Sequence, residues 1–134
     1  MRTAELGSEP TQETGTYVQL FTYRVPRKNH ATFSGVEAEL ARIFKKHGIL
    51  RSEFYVLSAA RIFKGFTSIA QTLAASADDE VWLELDFYKD KKDRDEVVAR
   101  IGQDPDAGPL FGRVLDLCAP GSTPLQGDFS RLTM

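Results

Sequence analysis

The chain reads as an α+β protein on the split βαβ plan, a four-stranded antiparallel sheet with its two main helices on one side. Three observations lead there. Side-chain character alternates residue by residue over 17–25, 50–57 and 80–88, the period-two signature of strands. After the first of these runs and again after the third, apolar residues recur at spacings of three and four, as on one side of a helix. The resulting order of strand, helix, strand, strand, helix and strand is that of the split βαβ arrangement.

Residues 1–15 hold Gly, Ser, Pro, Thr and Glu with little to bury, so they read as a polar arm, and the domain spans 16–134. The first strand places Val18, Leu20 and Thr22 on one side and Tyr17, Gln19, Phe21 and Tyr23 on the other, until Pro26 stops it. After the polar turn from Arg27 to His30, the residues Phe33, Val36, Leu40, Ile43, Phe44 and His47 share one side of a helix, which Gly48 caps in a left-handed conformation. The second strand sets Leu50, Ser52, Phe54 and Val56 against Arg51, Glu53, Tyr55 and Leu57. A long connection over 58–79, with a short hydroxyl-capped helix within 67–75, is expected to pack over one end of the sheet. The third strand sorts Val81, Leu83, Leu85 and Phe87 from Trp82, Glu84, Asp86 and Tyr88. A helix over 91–101 buries Val97, Val98 and Ile101 and ends at Gly102; helical spacing resumes with Leu110, Phe111, Val114, Leu115 and Cys118, up to Pro120 and Gly121. A last strand over 127–133 completes the order.

The aliphatic sets, Val18 with Leu20 and Val81 with Leu83, Leu85 and Phe87, are the expected helix-facing core. The opposite side is then uncovered and holds Tyr17, Phe21, Tyr23, Tyr55, Trp82 and Tyr88 among polar residues. So much aromatic area in water calls for a partner, and sheet-to-sheet pairing into a homodimer would cover it.

Composition narrows the function. The 134 residues suit one domain, and a formal charge of −2 offers no attraction to nucleic acid or to an anionic membrane. No apolar run reaches the roughly 18 to 20 residues that span a bilayer, and the opening residues lack the apolar core of a signal peptide, so a cytoplasmic location is expected. Cys118 is the sole cysteine, which excludes an internal disulfide and a cysteine zinc site. The chain carries no phosphate-binding glycine loop, nucleophile elbow, zinc-protease helix or dinucleotide fingerprint. Neither a metal nor a cofactor is expected.

The candidate chemistry lies on carboxylates. Glu53, Glu84 and Asp86 are placed on the uncovered face, where aromatic walls raise carboxyl pKa values; Glu84 and Asp86 are the candidate acid or base. The alternative is that these carboxylates pair with Arg51, Arg24 or Arg131 or contact water. Tyr23, Tyr55, Trp82 and Tyr88 are candidate pocket walls beside Glu53. His30, in a basic turn at the end of the first strand, either overlooks the pocket mouth or is a solvent-exposed helix start, and His47 reads as a structural residue of a helix end.

The first strand with its following turn, the helix ending Phe44-Lys45-Lys46-His47-Gly48 and the block 80–105 together give a resemblance. The chain resembles the dimeric α/β-barrel superfamily of ferredoxin-like domains, and within it an uncharacterised family of small domains of unknown function. It is more distantly similar to antibiotic-biosynthesis-type monooxygenases. The resemblance spans 16–105 and implies a fold and a homodimer. The functional reading is a small-molecule-binding protein or cofactor-independent enzyme; the alternative is a non-catalytic dimerisation or regulatory module.

Overall fold

A computed structural model describes residues 15–58 and 61–134; the expected polar arm lies outside the described residues except for Gly15. The elements run β1 (Tyr17–Pro26), a 3-10 turn (Arg27–Asn29), α1 (His30–Lys46), β2 (Arg51–Val56), α2 (Ile69–Thr72), β3 (Asp79–Tyr88), α3 (Lys91–Gly102), α4 (Ala107–Leu117) and β4 (Leu125–Ser130). The strands form one sheet in the order β2-β3-β1-β4, antiparallel throughout. This is the split βαβ sheet expected from the order of elements.

Local chemistry sets the ends of the elements. Past α1, Gly48 adopts a φ of +109°, its N–H bonds to the Lys45 carbonyl, and the next N–H, of Ile49, reaches back to Phe44. This paired arrangement at a left-handed residue closes a helix and turns Ile49 into the core beside Phe44. At the start of α3 the Asp90 carboxylate accepts the Asp93 N–H at 2.8 Å, satisfying a donor that the helix cannot. The short α2 begins at Ser68, whose hydroxyl accepts the Gln71 N–H. The connection carrying α2 is tied to β1 by Arg24, which donates to the Leu73 and Ala74 carbonyls and pairs with Asp79 at 3.3 Å.

The two faces of the sheet are reversed relative to the expectation from the sequence. Tyr23, Val25, Trp82, Glu84, Asp86, Tyr88 and Gln19 are buried, and Tyr23, Trp82 and Tyr88 belong to the same core as Phe33, Val36, Leu40 and Phe44 of α1 and Val97, Ile101 and Val114 of α3 and α4. The helices thus cover the aromatic and acidic side. Val18, Leu20, Leu83, Leu85 and Phe87 lie on the open side and are only partly buried, although Val81 of the same set is buried; Tyr55 opposite Leu83, Phe129 opposite Val18 and Leu125 opposite Thr22 are about half exposed. Alternation tells which residues share a face. Which face receives the helices depends on the handedness of the crossover from β1 through α1 to β2, which no side chain announces.

Candidate functional site

Under the helices, cross-strand register aligns side chains in rows. One row runs Gln126, Phe21, Glu84 and Phe54 from β4 to β2; the next runs Asp128, Gln19, Asp86 and Ser52. From above, α1 lowers Glu37 onto these rows. Glu37 sits on the apolar side of its helix, among Phe33, Val36, Leu40 and Phe44, and is 3 % exposed. Three carboxyl groups are therefore brought into one buried cluster: Glu37, Glu84 and the fully buried Asp86.

These groups are largely shielded from bulk water. Among the described residues no lysine, arginine or histidine bonds to any of the three. The Tyr23 hydroxyl donates to Glu84 at 2.8 Å. One Glu37 oxygen and both Asp86 oxygens make no aligned hydrogen bond. Burial accordingly raises all three carboxyls, Glu37 to about 7, Glu84 to about 8 and Asp86 to about 10. In Asp86 the Glu84 charge adds to burial while the nearby Ser52 hydroxyl acts the other way. Tyr23 is held strongly in its phenol form, by burial first and then by the Glu84 and Glu37 charges. Burial thus favours the protonated form most at Asp86 and least at Glu37, which ionises most readily of the three.

Glu37 and Glu84 open into a cavity of about 240 Å³ between the sheet, α1 and α4. Its walls are Phe21, Tyr23, Phe44, Phe54 and Phe111 with aliphatic residues of α1 and α4, and Glu37, Glu84, Ser52 and Gln126 supply the polar atoms. An apolar cavity of about 150 Å³ is enough to admit benzene, so this one accommodates a ring-sized molecule with small substituents. Apolar walls with a few convergent polar groups are the usual make-up of a ligand site. A carboxyl poised near neutrality beside a protonated neighbour can accept one proton while donating another.

Of the residues singled out from sequence, Tyr23 and Glu84 line this cavity. Asp86 lies beneath, fully buried, where it acts on Glu84 rather than on a ligand. Tyr88 is also fully buried, its hydroxyl 2.7 Å from the Gln19 amide and away from the cavity lining. Trp82 packs between Phe33 and His30, with its indole N–H donating to Glu80. His30 is exposed and bonds Glu80 at 2.8 Å, far in the register from Glu84. Glu53 and Tyr55 are corrected outright: both project from the open side, where Glu53 pairs with Arg51 at 2.7 Å and accepts from the Tyr55 hydroxyl. For Glu53 the ion-pair alternative describes the structure. His47, bonded to Asp104 at 2.7 Å, stays at its helix end.

Glu37 and Gln19 were not foreseen. Glu37 had a readable signal, an acidic residue one position after Val36 and three before Leu40, on the side of the helix that everything else marks as core. Gln19 had none, since it alternates with Val18 and Leu20 as any solvent-facing residue would.

No three histidine, cysteine, aspartate or glutamate side chains among the described residues are arranged to hold a metal ion, and no described helix is long and apolar enough to cross a membrane.

A four-stranded sheet of this order with helices over one side defines the ferredoxin-like α+β class. Solved structures share it across most of their length. SnoaB, a cofactor-independent oxygenase from Streptomyces nogalater, is 16% identical with a TM-score of 0.53, covering 90% of this chain and 97% of that one. A protein from Agrobacterium tumefaciens is 17% identical with a TM-score of 0.52, covering 87% and 93%. An uncharacterised NIPSNAP domain protein from Burkholderia xenovorans is 14% identical with a TM-score of 0.52, covering 87% and 94%. At such identities the likeness is one of fold. The chain itself belongs to the family described as a protein of unknown function, DUF1428, which matches residues 16–113. No curated protein matches it.

Proposed function

We propose that this domain, residues 16–134, binds a compact small molecule in the cavity under α1 and α4 and exchanges a proton with it through Glu37 and Glu84, without a cofactor. The observation that carries the reading is a pair of buried carboxyls with no counter-charge among the described residues, opening into an aromatic-walled cavity of about 240 Å³. Burial of this kind is costly, and a folded core gains nothing from it that two leucines would not supply. Glu37, the more readily ionised of the two, would take a proton, and Glu84, held protonated, would donate one. Tyr23 orients Glu84 by its hydrogen bond, and Asp86 is a positioning residue behind it. A neighbour in fold being a cofactor-independent oxygenase is consistent with such a cavity serving chemistry, though it names no reaction here.

The partner belonging to this reading is a second copy of the chain, meeting it through the open side of the sheet. Val18, Leu20, Leu83, Leu85 and Phe87 form a continuous apolar strip there with half-exposed Leu125 and Phe129 beside it, which solvent does not favour. We place the protein in the cytoplasm, in keeping with its one buried, unpaired cysteine.

A thermal-shift screen of ring-sized compounds on the wild-type protein and on Glu84→Gln tests the proposal, since a ligand that binds the native state raises its melting temperature. Compounds that stabilise the wild type and lose most of that effect in the variant support the pocket. If no compound shifts the wild type and the variant alters only self-association, the domain is a dimerisation module instead.

A further inference from the structure

The cavity states something about its ligand as well as its size. Among the described residues, both ionisable side chains in its lining are acidic, five of its walls are aromatic rings, and no basic residue enters it. Glu37, 3 % exposed and part of that lining, leaves one carboxyl oxygen without a hydrogen-bond donor. Asp86, beneath and outside the lining, interacts with Glu84 and Ser52 rather than with the cavity. What the described lining lacks is therefore positive charge beside Glu37. A neutral carbonyl compound could accept from protonated Glu84 but would leave the Glu37 carboxylate without a counter-charge. An anion would meet like charge.

Resting on the small-molecule reading above, we propose that the ligand of this cavity is an organic cation, a protonated amine on a ring-sized carbon skeleton, whose ammonium docks against Glu37 and Glu84. An ammonium offers donors and no acceptor, which suits the unfilled Glu37 oxygen in the cavity lining. Its charge sits in a water-poor space where pairing with a carboxylate is strong, and the faces of Phe21, Phe54 and Phe111 attract it further. A metal ion does not meet the same need, because the acidic groups are not arranged to ligate one.

The groups facing the pair are Tyr23 from β1, Ser52 from β2, Asp86 from β3 and, beyond the end of α4, buried Cys118; Arg94 of α3 acts one layer further away, on Tyr88. None of these supplies a cation to the pair in the free protein. Binding an ammonium must then drive protons off Glu37 and Glu84, so affinity rises as pH rises through the range where they ionise, and binding releases protons.

The test compares three probes of one shape by titration calorimetry on the full chain: benzylamine, benzyl alcohol and benzoate, at about pH 8, where the amine is still protonated. The expected result is benzylamine binding about tenfold or more tightly than benzyl alcohol, with benzoate weakest, as charge-assisted hydrogen bonds are the stronger kind. Heats in buffers of different ionisation enthalpy should show net proton release for the amine alone. Glu37→Gln, confirmed as folded by its melting curve, should cost the amine about tenfold while leaving the alcohol within about twofold; Glu84→Gln is the second variant if the first unfolds. Benzyl alcohol binding as tightly as the amine overturns the cation assignment and leaves the pocket reading standing. Silence from all three probes at about 5 mM, well above the millimolar affinity expected of so small a ligand, overturns both.

Discussion

At the scale of one residue, Glu84 is the acid on which the proposed chemistry turns. It projects from the middle of β3 into a stretch of core where α1 also contributes an acid, Glu37, and its pKa rises from the ordinary 4.5 to about 8 because burial outweighs the hydrogen bonds with Asp86 and Tyr23. The sign of the consequence follows. A carboxyl raised on folding keeps its proton in the native state while the unfolded chain loses it, so its contribution to stability is intact below about pH 4.5 and is lost progressively up to about pH 8. Glutamine does not titrate and can still accept from Tyr23. Glu84→Gln is therefore expected to match the wild type near pH 4.5 and to exceed it by on the order of 2 kcal/mol near pH 8, in denaturant melts at the two pH values. A variant less stable than wild type at the higher pH would show that the cluster is stabilised by a counter-charge we have not identified.

At the scale of one element, α1 determines both core and cavity. Its register sets Phe33, Val36, Leu40 and Phe44 against the sheet and α4, and the same register aims Glu37 into the site. Phe44 is 8 % exposed, meets Phe111 of α4 edge-on at 6.1 Å between ring centres and forms part of the cavity wall. Phe44→Ala is expected to cost about 3 to 5 kcal/mol of unfolding free energy, the usual range for truncating a buried ring. Because the existing cavity would merge with the new one, the cost belongs toward the lower end. A loss under about 1 kcal/mol by urea titration would mean that α1 rotates to refill the space, and Glu37 with it.

For the whole molecule the telling feature is an imbalance between the two sides of its sheet. The helix side buries acids; the open side exposes Leu20, Leu83, Leu85 and Phe87, with Arg51 stacked 3.8 Å over the Phe87 ring. Two copies meeting there would hide the apolar strip while leaving each cavity on the far side, free to admit a ligand. Sedimentation equilibrium at tens of micromolar should find a dimer, with Leu85→Arg shifting it to monomer and leaving the fold intact, since the site is partly exposed in one chain. A monomeric wild type at that concentration removes the dimer from the proposal without touching the cavity. In the proposed reading, ligand binding and assembly would use opposite faces, so each could be broken alone.

From the sequence alone, the strands, the two main helices, the cap at Gly48, a hydroxyl-capped short helix within 67–75 and the antiparallel order were legible, because each rests on periodicity or on local backbone chemistry over a few neighbouring residues. The prominence of Glu84 was legible too, as an acid amid aromatics on one side of a well-marked strand. The same alternation gave no means of telling that this side faces the helices, and the aliphatic side was read as core by ordinary hydrophobicity. Only the tertiary structure decided it, through the crossover that lays α1 on one face and the register that brings Ser52, Phe54, Glu84 and Phe21 across from one another. It separated Glu53 and Tyr55 from the site by one step of strand parity, and it added Glu37, some fifty residues from Glu84 in the chain yet in the same buried cluster. The physical reason is one of range: hydrogen bonds and periodicity act between near neighbours along the chain, whereas a buried site is made by residues whose meeting depends on the path of the entire fold.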